Sequence, residues 1–316
     1  MTEDPPRRLL LLDSASLYFR AFYGVPDRRR SRSAPPNNAV RGFLDMIATL
    51  VERYQPTHLV ACWDNDWRPA FRVAAIPSYK THRLLDGSDT VEDTPADLLP
   101  QVPMIVDLLA ALGIARVGAD GFEADDVIGT LTHQWGSRAK GAVDVVTGDR
   151  DLFQLVDDAV PVRIVYTAKG GVRSPDVMTQ AALEEKYGIG SGAAYADMAI
   201  LRGDTSDGLP GVPGIGEKTA AALINRYADL QGLRAALADG DPHLKGARRK
   251  NLEEAADYLD AAPQVVRVAR DAPVGAVDGA LPTAVTDPER LIGLADELDV
   301  RSPVNRVLAS LRLGTD

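Results

Sequence analysis

The sequence predicts an α/β protein built on a central, mostly parallel sheet, with a smaller helical region packed against it. Three observations lead there. Short apolar runs alternate with helical periodicity through roughly the first 190 residues. The runs are apolar throughout rather than alternating, as strands covered on both faces require. From about residue 187 onward the strand signal stops, and Ala-rich helical sequence follows, punctuated by Gly and Pro over residues 208–216.

The first strand is residues 8–13 (RLLLLD), which end in an acid. Residues 38–54 place Val40, Phe43, Leu44, Ile47, Leu50 and Val51 on one helical face. Residues 58–64 (HLVACWD) are a second apolar run ending in an acid. A helix is expected over 100–112, a short strand over 114–117 and a helix over 123–135. Residues 143–149 (VDVVTGD) are a third run closing near an acid, and 162–166 are a further strand. Ligands of such sheets sit outside the carboxyl ends of the strands, where Asp13, Asp64 and Asp149 fall. Residues 26–36 (PDRRRSRSAPP) read as a basic, breaker-rich loop, and 84–95 (LLDGSDTVEDTP) as a polar, mobile stretch. Two domains are expected, 1–190 and 191–316, with no internal repeat.

Composition narrows the class. The chain of 316 residues has room for about two domains and a large core. Cys62 is its one cysteine, so no internal disulfide forms and a reducing compartment fits. The histidines are too scattered for a zinc-protease motif, and no apolar run reaches signal-peptide or membrane length. The net charge of −10 argues at first against a polyanionic partner.

Nine acids qualify that argument: Asp13, Asp64, Glu123, Asp125, Asp126, Asp149, Asp151, Asp204 and Asp207. Taken singly, each suits a helix cap or a turn. Together they are harder to explain so, because three strand ends would gather several carboxylates on one sheet edge. Such a cluster repels itself unless some members take up protons or hard divalent cations intervene. Setting those nine aside leaves 36 acids against 35 bases, so the excess acidity belongs to the proposed pocket.

Lys80 and Arg83 are three residues apart beside Tyr79, which on a helix lets both cations reach one phosphate while the ring offers a stacking surface. An ordinary solvated helix face with a snorkelling tyrosine serves equally. Arg20, soon after the first strand, faces either the pocket or a surface ion pair. Residues 211–220 (GVPGIGEKTA) combine glycines, which let backbone N–H groups approach a ligand, with the start of a helix, whose free amides bind phosphate. A nucleotide-binding loop of the G-x-x-x-x-G-K type is excluded, since Glu217 intervenes before Lys218 and no apolar strand precedes. A plain helix–helix connection is the alternative.

Together these motifs resemble the bacterial 5′–3′ exonuclease and flap endonuclease family, free-standing or as the 5′-nuclease part of a DNA polymerase I. The resemblance rests on Leu12-Asp13-Ser14, Arg20-Ala21-Phe22, Asp64 with Phe71-Arg72, Tyr79-Lys80-x-x-Arg83, residues 121–126 (GFEADD), residues 147–152 (TGDRDL) and, most specifically, residues 203–220 (GDTSDGLPGVPGIGEKTA). It implies a PIN-like (resolvase-like) domain followed by a helical region with a helix–hairpin–helix-type (H3TH) element. It implies that the nine acids hold two divalent ions, Mg²⁺ or Mn²⁺, a third site being proposed in the family. Lys80, Arg83, Asp125 and Asp149 then carry catalytic roles. Arg20, Arg72, Tyr79, Lys80 and Arg83 contact DNA, as do Gly211, Val212, Gly214, Gly216, Lys218 and Thr219 of the hairpin, often with a bound K⁺. The implied substrate is DNA with a 5′ flap, nick or 5′ end, cut by a monomer in the bacterial cytoplasm beside replication and repair proteins. Trp63-Asp64-Asn65-Asp66-Trp67 and Gly208-Leu209 depart from the family pattern. The end of the chain at Asp316 without a polymerase portion suits a stand-alone enzyme or an excised domain of a longer one. A PIN-type ribonuclease, a non-catalytic DNA-binding module and a phosphatase with an Asp nucleophile are the other readings; the last leaves residues 203–220 unexplained.

Overall fold

The computed structural model describes residues 7–29, 31, 34–138 and 141–314, so residues 30, 32 and 33 of the basic loop lie outside the described residues. Strands β1 (Arg8–Asp13), β2 (His58–Trp63), β3 (Ala115–Gly118), β4 (Ala142–Thr147), β5 (Val162–Tyr166) and β6 (Asp176–Met178) form one sheet in the order β3-β2-β1-β4-β5-β6. Every adjacent pair is parallel except β5 and β6. The edge strand β6 has no apolar run to announce it, since Asp176 and Val177 are exposed.

Five helices intersperse or follow the first strands: α1 (Ser14–Gly24), α2 (Asn38–Tyr54), α3 (Ala70–Ala75), α4 (Gln101–Leu112) and α5 (Ala124–Arg138). Beyond β6 the chain is helical, with α6 (Gln180–Tyr187), α7 (Gly192–Arg202), α8 (Glu217–Tyr227), α9 (Leu230–Ala238), α10 (Gly246–Glu254) and α11 (Ala256–Val266). The last two helices are α12 (Pro288–Glu297) and α13 (Arg301–Ser310).

Period-two alternation along β1 divides the core. Leu9 and Leu11 enter a core with Val127, Ile128, Phe153 and Tyr195, while Leu10 and Leu12 enter another with Phe43, Leu44, Ile47 and Leu108. Helices therefore cover both faces. The terminal helices do not stay with the helical region: α13 packs on α2 and α12 on α4, and Asn37 Nδ2 donates to the Leu298 carbonyl at 2.8 Å.

Winding places the site. The chain builds β1, β2 and β3 outward to one side, then begins β4 on the opposite side of β1. The reversal between β1 and β4 opens a crevice at their carboxyl ends, the usual ligand position in a doubly wound sheet.

Two local expectations are corrected. Lys80 and Arg83 do not lie on an α-helix. Pro77 follows the end of α3 and bars its continuation, Lys80 takes a left-handed φ of 50°, and Thr81–Arg83 form a 3₁₀ turn. Residues 84–95 are not a loose stretch. Leu84 and Glu92 form an antiparallel bridge, Leu85 N donates to the Val91 carbonyl at 2.8 Å, and Trp67 Nε1 donates to the Thr90 carbonyl at 3.1 Å.

Candidate active site

A cavity of about 670 Å³ opens at the switch point. Asp13, Asp64, Glu123, Asp125, Asp149 and Asp204 line it, together with Lys80, Arg83 and Arg150. The elements that deliver the acids are adjacent. Asp13 ends β1, Asp64 follows β2, Asp149 follows β4, and Glu123 and Asp125 stand at the start of α5.

Each strand-end acid also does the local work its position invites. Asp13 caps α1 by accepting from Ser16 N at 3.2 Å, and accepts from Thr147 Oγ1 at 2.6 Å. Asp64 accepts from Ala124 N at 2.8 Å, satisfying a free amide at the start of α5. These bonds do not offset the crowding. Burial, with repulsion from Asp64 and Asp149 outlasting the Thr147 bond, pushes the Asp13 carboxyl up to about 7. Burial, opposed by the Ala124 bond and reinforced by Glu123, pushes Asp64 up to about 6. Burial and then Asp13 and Asp149 hold Asp125 well above the carboxylate range.

Asp151 sits behind Asp149, its N–H donating to Asp149 Oδ1 at 2.8 Å. Its Oδ1 is buried with no hydrogen-bond partner, and burial and Asp149 raise its pKa strongly. Asp207 pairs with Arg83 at 3.0 Å, and Asp204 with Arg150 at 2.6 Å. Burial would raise Asp204, but hydrogen bonds from Ser206 and Arg150 hold it below its ordinary value. Burial would likewise raise Glu123, but Lys80 and Arg72 outweigh it.

The structure removes several expected residues from the cavity. Asp126 is fully buried: Arg72 donates to its Oδ2 at 2.8 Å and its Oδ1 at 2.7 Å, and Ala269 N donates to Oδ1 at 2.8 Å. Glu123 N adds a fourth bond, to Oδ2 at 3.2 Å, so each oxygen accepts twice and has no lone pair free to turn toward an ion. Arg72 is 2% exposed and spends its guanidinium on Glu123, Asp126 and the Val265 carbonyl, so it offers nothing to a phosphate. Tyr79 is 3% exposed and donates to Glu123 Oε2 at 2.7 Å, so its ring is no stacking platform. Arg20 reaches sideways to the Ala168 carbonyl at 3.2 Å rather than into the cavity. Asp66 turns back to accept from Arg68 N at 3.1 Å.

Two charged wall residues were given no role in the sequence reading. Arg150 stands between two site acids in TGDRD, and that placement was the available signal. Glu92 arrives from the 84–95 hairpin, and no local pattern places it there.

The 211–216 hairpin is built on its own anchors. Val212 and Ile215 are buried, and Ile215 N donates to the Val212 carbonyl at 3.0 Å, closing a turn that Gly214 enters at φ 76°. Val212 and Gly211, expected to face DNA, lie inward instead; a Cβ on Gly211 would stand 2.5 Å from the Arg202 carbonyl. Gly214, Gly216 and Lys218 are exposed, and the α8 N-cap Gly216 has no side chain to occupy the first amides.

Among the described residues, no three acids, histidines or cysteines are drawn close enough to clasp an ion as they stand. Lys80, Arg83 and Arg150 instead pair with Glu123, Asp207 and Asp204. The donor set still fits a hard divalent cation. It consists of carboxylate oxygens only, several are held against ionisation, and Asp151 keeps a buried acceptor unspent.

The family model described as 5′-3′ exonuclease, N-terminal resolvase-like domain, matches residues 8–188, and that described as 5′-3′ exonuclease, C-terminal SAM fold, matches residues 191–289. A 5′-3′ exonuclease of Streptomyces coelicolor is 54% identical over 306 residues, covering 96% of this chain and 99% of its own. One of Mycobacterium tuberculosis is 47% identical over 313 residues, covering 96% and 97%. DNA polymerase I of Mycobacterium bovis is 37% identical over 96% of this chain but only 32% of its own length. Among solved structures, a zinc-bound T5 5′-exonuclease superposes with a TM-score of 0.64 at 17% identity, covering 97% of this chain and 98% of its own. The catalytic core of Rad2 in complex with DNA substrate gives 0.57 at 16%, covering 97% and 92%. At those identities the structures speak for the fold.

Proposed function

The chain belongs to the 5′-3′ exonuclease family, and on that footing we propose that it is a structure-specific 5′ nuclease that hydrolyses DNA at 5′ flaps, nicks and 5′ ends. The observation that carries the reading is the convergence of acids from three adjacent parallel strands and the start of α5 on one cavity whose rim bears Lys80 and Arg83. Asp13, Asp64, Glu123, Asp125 and Asp149, backed by Asp151, Asp204 and Asp207, would hold two divalent ions, Mg²⁺ or Mn²⁺. Bound ions of this kind lower the pKa of water and stabilise a leaving oxygen.

The chain's own groups supply the rest. Lys80 Nζ, now on Glu123, and the Arg83 guanidinium, now on Asp207, are placed to exchange those carboxylates for oxygens of the scissile phosphate. Arg72 and Tyr79 orient Glu123 from behind. The uncapped start of α8, with Lys218 and Thr219, presents amides and charge to a duplex backbone, which positions DNA without reading its sequence. K⁺ is the ion this reading assigns to the hairpin. The division of labour falls near residue 190, catalysis before it and duplex holding after it. The protein acts in this reading as a monomer in the bacterial cytoplasm, beside replication and repair proteins.

Cleavage of a labelled 5′-flap DNA, with and without EDTA, tests the assignment. The unmodified protein should cut only with Mg²⁺ or Mn²⁺. Asp125→Asn should lose more than about 100-fold, the scale reached even by groups that merely support a ligand. It should melt no lower than the parent, because an amide cannot ionise in the crowded, buried pocket. Near-normal turnover by this variant, or preference for an RNA flap, overturns the reading.

A further inference from the structure

Arg202, the last residue of α7, stands between the two functional halves. Its side chain is about nine-tenths buried, packed over the Tyr195 ring at 6.0 Å. On one side NH1 donates to Glu217 Oε2 at 3.2 Å, on the first residue of α8 where the hairpin ends. On the other, NH2 faces Asp204 Oδ2 at 3.9 Å, an ion pair too long for a hydrogen bond, while the guanidinium also acts on the Tyr195 hydroxyl. Asp151, whose Oδ1 is unpartnered, feels the same guanidinium.

The backbone joins these pieces further. Val212 N donates to the Leu201 carbonyl at 2.9 Å. A Cβ on Gly203 would stand 2.5 Å from Gly211 N, so hairpin and Asp204 loop touch main chain to main chain. Glu217 suits the dipole of α8, but as a carboxylate in the first turn it repels the phosphate that the free amides attract. Arg202 neutralises it.

We propose that Arg202 is a positioning residue that couples duplex seating on the hairpin to the Asp204 and Asp151 side of the cavity, and so makes cleavage depend on a duplex long enough to reach the hairpin. A phosphate on the free amides of α8 repels the Glu217 carboxylate and loosens its bond to Arg202 NH1. The guanidinium, partly released, moves toward Asp204 and closes its 3.9 Å gap. The inference rests on the nuclease reading and adds to it a source of substrate specificity.

Coupling of this kind is reciprocal, so it has a readout apart from turnover. Mn²⁺ affinity is measured by calorimetry with and without a closed duplex that has no 5′ end. In the unmodified protein the duplex should tighten Mn²⁺ binding about fivefold or more. Arg202→Met and Glu217→Gln should each abolish that tightening, and the double variant should add nothing further. Glu217 is partly exposed, so its variant keeps the test open if Arg202→Met fails to fold. In parallel, two flap substrates are compared, one with a duplex reaching the hairpin and one truncated short of it. The parent should favour the long one, and both variants should lose about tenfold on it while cutting the short one at the parental rate. Equal losses on both substrates, a tightening that survives in either variant, or a parent indifferent to duplex length overturns the coupling. A parent that binds Mn²⁺ but cuts no DNA instead overturns the nuclease reading.

Discussion

Asp125 and Asp126 are neighbours in sequence and take opposite roles. Successive helix positions diverge by about 100°, so one carboxylate enters the cavity and the other meets Arg72 on the far side. Sequence spacing located the acids and said little about which way each would point. The structure supplies what the sequence did not: Thr130, four residues after Asp126, is also fully buried, so both belong to an inward face of α5. Arg72 was assigned to DNA by resemblance alone, and its burial against Glu123 and Asp126 is what that resemblance did not carry. The structure makes it a bolt between Glu123, Asp126 and the Val265 carbonyl. Arg72→Met should therefore leave the buried Asp126 without a charge partner, take one of three side-chain partners from Glu123, and cost about 3–5 kcal/mol of stability. Urea unfolding should show a lower midpoint at unchanged slope. A variant of parental stability that binds DNA more weakly would restore the phosphate-contact role.

At the scale of elements, legibility followed burial. β1, β2, β4 and β5 are inner strands, and their apolar runs marked them; β6 is an exposed edge and carries no such run. The three-residue spacing of Lys80 and Arg83 suggested a helix, but Pro77 settles that segment as turns, which a period count alone overlooks. The hairpin was legible because its glycines answer to geometry, with Gly203 and Gly211 standing where any Cβ would strike main chain. Its outward groups are the testable part. Lys218 is exposed beside the uncapped start of α8. If it meets a phosphate, Lys218→Ala should weaken duplex binding for all sequences alike and reduce the salt slope by about one. Anisotropy titrations across a salt series measure this, and an unaltered slope would take Lys218 off the duplex.

For the whole molecule, the charge of −10 is a local property rather than a general one, since the nine acids account for nearly all of it. Concentrating them has a consequence for stability. Without a cation, Asp13 and Asp64 are held up to about 7 and about 6, chiefly by burial, and Asp125 and Asp151 are raised as well. A carboxyl raised in the folded state binds protons that the unfolded chain has already released. Between the ordinary carboxylate range near about pH 4 and these raised values, the folded form therefore holds more protons, and its stability falls as pH climbs. Glu123 and Asp204, shifted down, act in the opposite sense only below that window. A divalent ion among the acids favours their ionised form, so its stabilisation must grow across the same interval. The melting temperature in EDTA should drop from about pH 5.5 to about pH 8, and the gain on adding Mn²⁺ should be larger at the higher pH. A gain of equal size at both would mean that the ion does not sit among the raised carboxylates, and the acids gathered by the sheet would need another purpose.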